Sequence, residues 1–188
     1  MRILIVDDSN FALNTITKEL KAMGVEENQI EQVKSGADAL RRIETQTFDL
    51  FILDIVMPEI DGIAVLKEAK RKQPHAKIIM CSGTSSDKII KELIDLGINA
   101  FLVKPFQAGD FVKAVARNIS IPNKNLEQDV LIAKCHICDS EMIEVDLVNT
   151  ISFYCPNSCM QVGPSFKVLV TQKDLDEDYE SAKQKRDK

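Results

Sequence analysis

The sequence predicts an α/β protein built on a parallel sheet. Three observations carry that prediction. Short apolar runs of strand type recur five times, at residues 2–6, 29–33, 49–53, 77–81 and 99–103. Segments with helical apolar spacing lie between them. Strands that alternate with helices of about 10–15 residues imply βαβ units with right-handed crossovers. Finally, charged residues stand directly after three of the runs: Asp7 and Asp8 after the first, Asp54 after the third and Lys104 after the fifth. In an open parallel sheet these positions fall at the carboxyl edge, where such sheets bind ligands.

Each helix has a start and a stop written in the chain. Ser9 is placed to cap a helix with Ala12, Leu13, Ile16 and Leu20 on one face, and Gly24 follows its end. Ser35 is placed to cap 36–44, where Ala39, Leu40 and Ile43 face inward. Asp61 opens 62–72, with Ile63, Val65, Leu66 and Ala69 for burial. Ser86 or Asp87 opens 88–96, which stops at Gly97. Residues 107–119 form the last helix, with Phe111, Val115 and Ile119 on one side. Ile121–Gln128 breaks the pattern and reads as a linker. Beyond it, 129–170 contains short strand-like stretches (130–134, 142–147, 151–154 and 166–170) and reads as a second, small β-rich domain. Residues 171–188 are almost all polar or charged and read as a frayed helix or disordered tail.

Composition narrows the function. The 188 residues suffice for one full domain and a small one. No apolar run approaches the roughly 20 residues of a membrane helix, and residue 1 leads straight into a strand, so no signal peptide is expected and the cytosol is the expected compartment. The net charge is −5. Residues 1–120 hold 16 Lys and Arg against 17 Asp and Glu, and residues 121–188 hold 8 against 12. The C-terminal part is the acidic one, which argues against nucleic acid as its partner.

Four motifs stand in order at the strand ends: Ile-Val-Asp7-Asp8-Ser, Leu-Asp54-Ile-Val-Met-Pro58-Glu-Ile-Asp61-Gly62, Met-Cys-Ser82-Gly83 and Val-Lys104-Pro105-Phe106. On these residues 1–120 resemble the receiver domain of bacterial two-component response regulators. The resemblance implies a flavodoxin-like, doubly wound sheet of five parallel strands in the order 2-1-3-4-5. It implies that Asp54 accepts a phosphoryl group, from a sensor histidine kinase or a phosphotransfer protein, and that the domain catalyses only its own phosphotransfer and dephosphorylation. By the same resemblance Asp8 and Asp54 bind Mg²⁺ directly, Asp7 acts largely through water, and the backbone carbonyl of Val56 supplies a further ligand. Ser82 is the switch hydroxyl and Phe101 the switch aromatic, and the Lys104-Pro105 peptide is often cis in the family. The physics agrees. Two carboxylates about 4 Å apart repel by about 4 kcal/mol at an effective dielectric of 20, so the acids call for a cation. An all-oxygen site completed by waters and phosphate suits Mg²⁺. Mg²⁺ and Lys104 together neutralise the charge of phosphoryl transfer. Ser9 is expected as a cap rather than a catalytic hydroxyl, and Cys81 as a core residue. Val56 and Thr84, two residues past Asp54 and Ser82, flank the water's route to the phosphoryl group. Neither offers a base or a long polar arm, so a long-lived phosphoryl group is expected.

The other four cysteines cluster. Cys135 and Cys138 form C-x₂-C, Cys155 and Cys159 form C-x₃-C, and sixteen residues separate the pairs. That spacing reads as a Cys₄ zinc site of zinc-ribbon type. About 40 residues need such a staple to fold, and bound Zn²⁺ supplies on the order of 10–16 kcal/mol in small domains. The second knuckle is one residue longer than the usual ribbon pattern. Disulfides are disfavoured in a reducing compartment, reactive thiols are the alternative, and His136 could replace Cys135 as a ligand. Three outputs follow. In the first, phosphorylation reshapes the face of the fourth helix, fifth strand and fifth helix, switching binding to an unknown downstream protein or a homodimer, with the ribbon as interaction module. In the second, the protein is a transcription regulator with a nucleic-acid-binding ribbon. In the third, the Cys₄ cluster is a redox or metal sensor.

Overall fold

The computed structural model describes residues 1–83, 86–119, 143–147, 150–154 and 161–162. In chain order the elements are β1 (Ile3–Val6), α1 (Asn10–Ala22), β2 (Ile30–Val33), α2 (Gly36–Thr45), β3 (Leu50–Asp54), α3 (Gly62–Lys72), β4 (Lys77–Ser82), α4 (Asp87–Asp95), β5 (Ala100–Val103), α5 (Ala108–Asn118), β6 (Ile143–Leu147), β7 (Thr150–Tyr154) and β8 (Gln161–Val162). Each of the five expected β-α units is present. The caps are the expected ones. The hydroxyls of Ser9, Ser35 and Ser86 and the carboxylate of Asp61 accept from the backbone N–H three residues on. Gly24 and Gly97 follow α1 and α4 with φ of 91° and 81°, the left-handed conformation that ends a helix.

β1 to β5 pair in parallel in the order 2-1-3-4-5. Alternate residues of each strand serve opposite faces. Leu4, Val6, Phe51, Leu53, Ile78, Met80 and Phe101 join the core formed with α2, α3 and α4, where Val65, Leu66, Ile90 and Leu93 are buried. Ile3, Ile5, Leu50, Ile52, Ile79, Cys81 and Leu102 join the core formed with α1 and α5, around Leu13, Ile16, Leu20, Phe111 and Val115. Two buried faces explain why these strands read as unbroken apolar runs rather than alternating ones.

The sheet does not stop at β5. β6 pairs with it in parallel, Phe101 opposite Val145. β7 returns antiparallel to β6, Ile143 opposite Tyr154, and β8 is antiparallel to β7. The eight strands make one sheet, 2-1-3-4-5-6-7-8. Two of the strand-like stretches read from the sequence, 142–147 and 151–154, thus coincide with β6 (Ile143–Leu147) and β7 (Thr150–Tyr154), which continue the first sheet on β5. The linker 121–128, the stretches 130–134 and 166–170, the tail 171–188 and all four clustered cysteines lie outside the described residues. Among the described residues no helix is long and apolar enough to cross a membrane.

Candidate phosphoacceptor site

The carboxyl edge of β1, β3 and β5 brings Asp7, Asp8, Asp54 and Lys104 together, as their places after apolar strands require. β1 delivers Asp7, whose N–H donates to the Val33 carbonyl of β2 at 3.2 Å, so the ladder carries on one residue past the strand. Asp7 is 1% exposed. Its Oδ1 accepts from the Ser9 N–H at 2.9 Å, and the Ser9 hydroxyl caps α1. Ser9 is therefore a positioning residue twice over: its amide orients Asp7 and its hydroxyl anchors the helix. Asp8 is exposed. Asp54 ends β3 and is 8% exposed. One carboxylate oxygen from each of Asp7, Asp8 and Asp54 lies within 4.8 Å of the others.

Lys104 is the counter-ion. Its Nζ stands 2.6 Å from Asp7 Oδ2 and 3.0 Å from Asp54 Oδ2. Its amide donates to the Ser82 carbonyl at 2.7 Å, which fixes the stem of the side chain against the end of β4. The Lys104-Pro105 peptide is cis. Ser82 is fully buried at the end of β4, and Phe101 is fully buried on β5. Val56 is 61% exposed at the site's mouth, and its N–H faces Asp54 Oδ1 at 3.4 Å. Thr84 lies outside the described residues.

The electrostatics follow from crowding under partial burial. Burial holds the Asp54 carboxyl above the usual carboxylate range. Lys104 pulls it back, and the charge of Asp7 adds to the rise. Burial pulls the Lys104 ammonium down, but the hydrogen bonds and charges of Asp7 and Asp54 outweigh it, and the net direction is up. Lys104 is thus a fixed positive charge at neutral pH. Cys81, opposite Asp54 in the β3–β4 ladder, is buried with its thiol pushed up to about 12 by desolvation. It is a core residue without nucleophilic character.

Gly62, the first residue of α3, also lies against the site. The Gly62 N–H donates to the Ile55 carbonyl at 3.0 Å, and a Cβ there would stand 1.9 Å from the Asp54 carbonyl oxygen. The start of α3 packs directly on the backbone that carries Asp54. The signal was the Asp61-Gly62 pair, since a glycine just inside a capped helix start marks a close backbone approach.

The donor set fits a hard divalent cation. Among the described residues it consists of three carboxylates with no nitrogen or sulfur ligand, and one of the three is solvent-facing. Comparison with known proteins gives the same direction. The profile of the response regulator receiver domain matches residues 3–116. The chemotaxis protein CheY of Bacillus subtilis is 38% identical over 119 residues, covering 63% of this chain and 98% of that protein. The alkaline phosphatase synthesis transcriptional regulatory protein PhoP of the same organism is 27% identical over 149 residues, 76% of this chain and 60% of that one. Among solved structures, a CheY-like receiver domain protein from Methanospirillum hungatei superposes with a TM-score of 0.57 at 29% identity, covering 62% of this chain and 90% of that one. A chain of the CheX–CheY–BeF₃–Mg complex from Borrelia burgdorferi does so with 0.58 at 28%, covering 62% and 87%.

Proposed function

The chain belongs to the response regulator receiver domain family, and from that membership we propose that it is a phosphorelay protein whose Asp54 accepts a phosphoryl group. The observation that carries the reading is the Lys104 ammonium held between Asp7 and Asp54 at the carboxyl edge of the sheet. Asp7, Asp8, Asp54 and the Val56 carbonyl would hold Mg²⁺, which supplies charge neutralisation at the transferring phosphoryl group. The Asp54 carboxylate attacks phosphorus. An O–P bond forms as the bond from phosphorus to the donor's nitrogen or oxygen breaks, and the bonding pair leaves with the donor. Asp54 reacts as a carboxylate and needs no base. Lys104 stays charged throughout and stabilises the equatorial oxygens. Dephosphorylation is attack of water on the same phosphorus, which returns the carboxylate and releases phosphate.

The donor is a sensor histidine kinase or a phosphotransfer protein, and the protein works in the cytoplasm. Ser82 and Phe101 pass the change at Asp54 to the face of α4, β5 and α5, where a downstream protein or a second copy binds. The C-terminal segment contributes a Cys₄ zinc site from Cys135, Cys138, Cys155 and Cys159. Its support is the paired spacing of the four cysteines. Incubation with Mg²⁺ and acetyl phosphate, followed by intact and native mass measurement, tests both parts. The wild type gains one phosphoryl group, Asp54→Asn gains none, and each chain retains one zinc. A phosphoryl group on Asp54→Asn, or none on the wild type, removes the receiver reading. Absence of zinc removes the ribbon.

A further inference from the structure

A five-stranded sheet of this order would end at β5 with a row of unpaired N–H and C=O groups, which is an invitation to any other strand. Here the chain fills that row itself. β6 lies parallel to β5, with Ala100 opposite Glu144, Phe101 opposite Val145 and Leu102 opposite Asp146. On its other side β5 pairs with β4, Met80 opposite Phe101 and Ser82 opposite Val103. The residue that follows β5 is Lys104, whose amide binds the Ser82 carbonyl and whose ammonium binds Asp7 and Asp54. β5 is therefore tied to the phosphoacceptor site along one side and at its carboxyl end, and to β6 along the other side.

The seam between β5 and β6 is the shortest parallel one in the sheet. It spans three residue pairs, where each of the four other parallel seams spans four or five. Parallel pairing is also the less stable kind per residue. β6 grips β7 by five antiparallel pairs. A disturbance arriving through β5 would thus part β6 from β5 before it parted β6 from β7, and the hairpin would leave as a unit.

We propose that β6 is the resting occupant of the β5 edge and that loading of Asp54 loosens it, exposing β5 and the β6–β7 hairpin as two free strand edges. This rests on the receiver reading. A phosphoryl group at Asp54 puts more negative charge and further acceptor oxygens where Lys104 now holds one carboxylate oxygen. Lys104 follows that charge and draws on the end of β5. Ser82, at the end of β4, is drawn with it through the Lys104 amide. The short seam to β6 is the part of the sheet that yields.

Amide hydrogen exchange on the full chain in Mg²⁺, with and without acetyl phosphate and with intact mass read in parallel, tests this. β2, at one edge of the sheet, serves as internal reference because no strand among the described residues pairs with its outward side. In the resting chain the outward amides of β5 exchange far more slowly than those of β2. On loading they speed up by about tenfold or more while those of β1 and β3 do not change, and Asp54→Asn shows no acceleration. Resting β5 amides as fast as those of β2, or protected β5 amides in a chain that carries the phosphoryl mass, would overturn the inference and leave the receiver reading intact. A chain that takes up no phosphoryl group would overturn both.

Discussion

At the scale of single residues the site is a contest between burial and charge, and two predictions belong here. Burial has raised the pKa of Asp54 above the ordinary range. In the metal-free chain its carboxyl should therefore titrate above an exposed aspartate, and added Mg²⁺ should draw that titration back down. Carboxyl NMR titration in EDTA and in Mg²⁺ checks this, and an ordinary aspartate value without metal would count against it. The paired Lys104 has a raised pKa, so its stabilising contribution is fully present below the ordinary lysine value. It is lost as pH climbs through the higher folded value. The second prediction concerns Val56, which is exposed at the mouth and offers incoming water no polar arm. Val56→Asn should shorten the life of the phosphoryl group by about tenfold, or 1.4 kcal/mol of barrier, followed as loss of the phosphoryl mass with time. A wild-type half-life of only seconds would contradict the premise. The residues of this site were legible because charged side chains directly after buried strands have few other reasons to be there. The hold of Ser9 on Asp7 was not legible, because a backbone donor leaves no mark in the sequence.

At the scale of elements, the chain's punctuation was readable. Ser9, Ser35, Asp61 and Ser86 each cap the helix they precede, because the chemistry of an N-cap is local and needs no knowledge of the tertiary fold. The joint between β3 and α3 could not be read in the same way. It depends on how closely one backbone passes another, and only the folded chain shows that a Cβ at residue 62 would collide with the Asp54 carbonyl oxygen. Gly62→Ala should cost about 3 kcal/mol or more, since the obstacle is backbone and cannot turn aside. It should also impair phosphorylation by displacing Asp54. Denaturant unfolding compared with Gly109→Ala, where nothing stands within 4 Å of the added carbon, separates crowding from a general glycine effect.

At the scale of the whole molecule, the doubly wound core followed from five repeats of one pattern, whereas the extension of the sheet past β5 did not. Strand character in 142–147 and 151–154 is local, but the choice of partner edge is a long-range decision that no periodicity encodes. Assembly of the acidic edge should make the fold responsive to divalent metal. Mg²⁺ at a hundredfold excess over its dissociation constant should stabilise the native chain by about 2.7 kcal/mol, seen as a higher Tm than in EDTA. Asp8→Ala should remove most of that gain, and a metal-independent Tm would argue against the site. One buried residue gives the folded chain an internal clock. Cys81 sits at 1% exposure in the middle of the sheet, its thiol pushed up to about 12. A thiol-blocking reagent added to the native protein must wait for β4 to come apart before it can react there. The pace at which this one sulfur is modified therefore reports how often the central sheet opens, with no probe to be introduced.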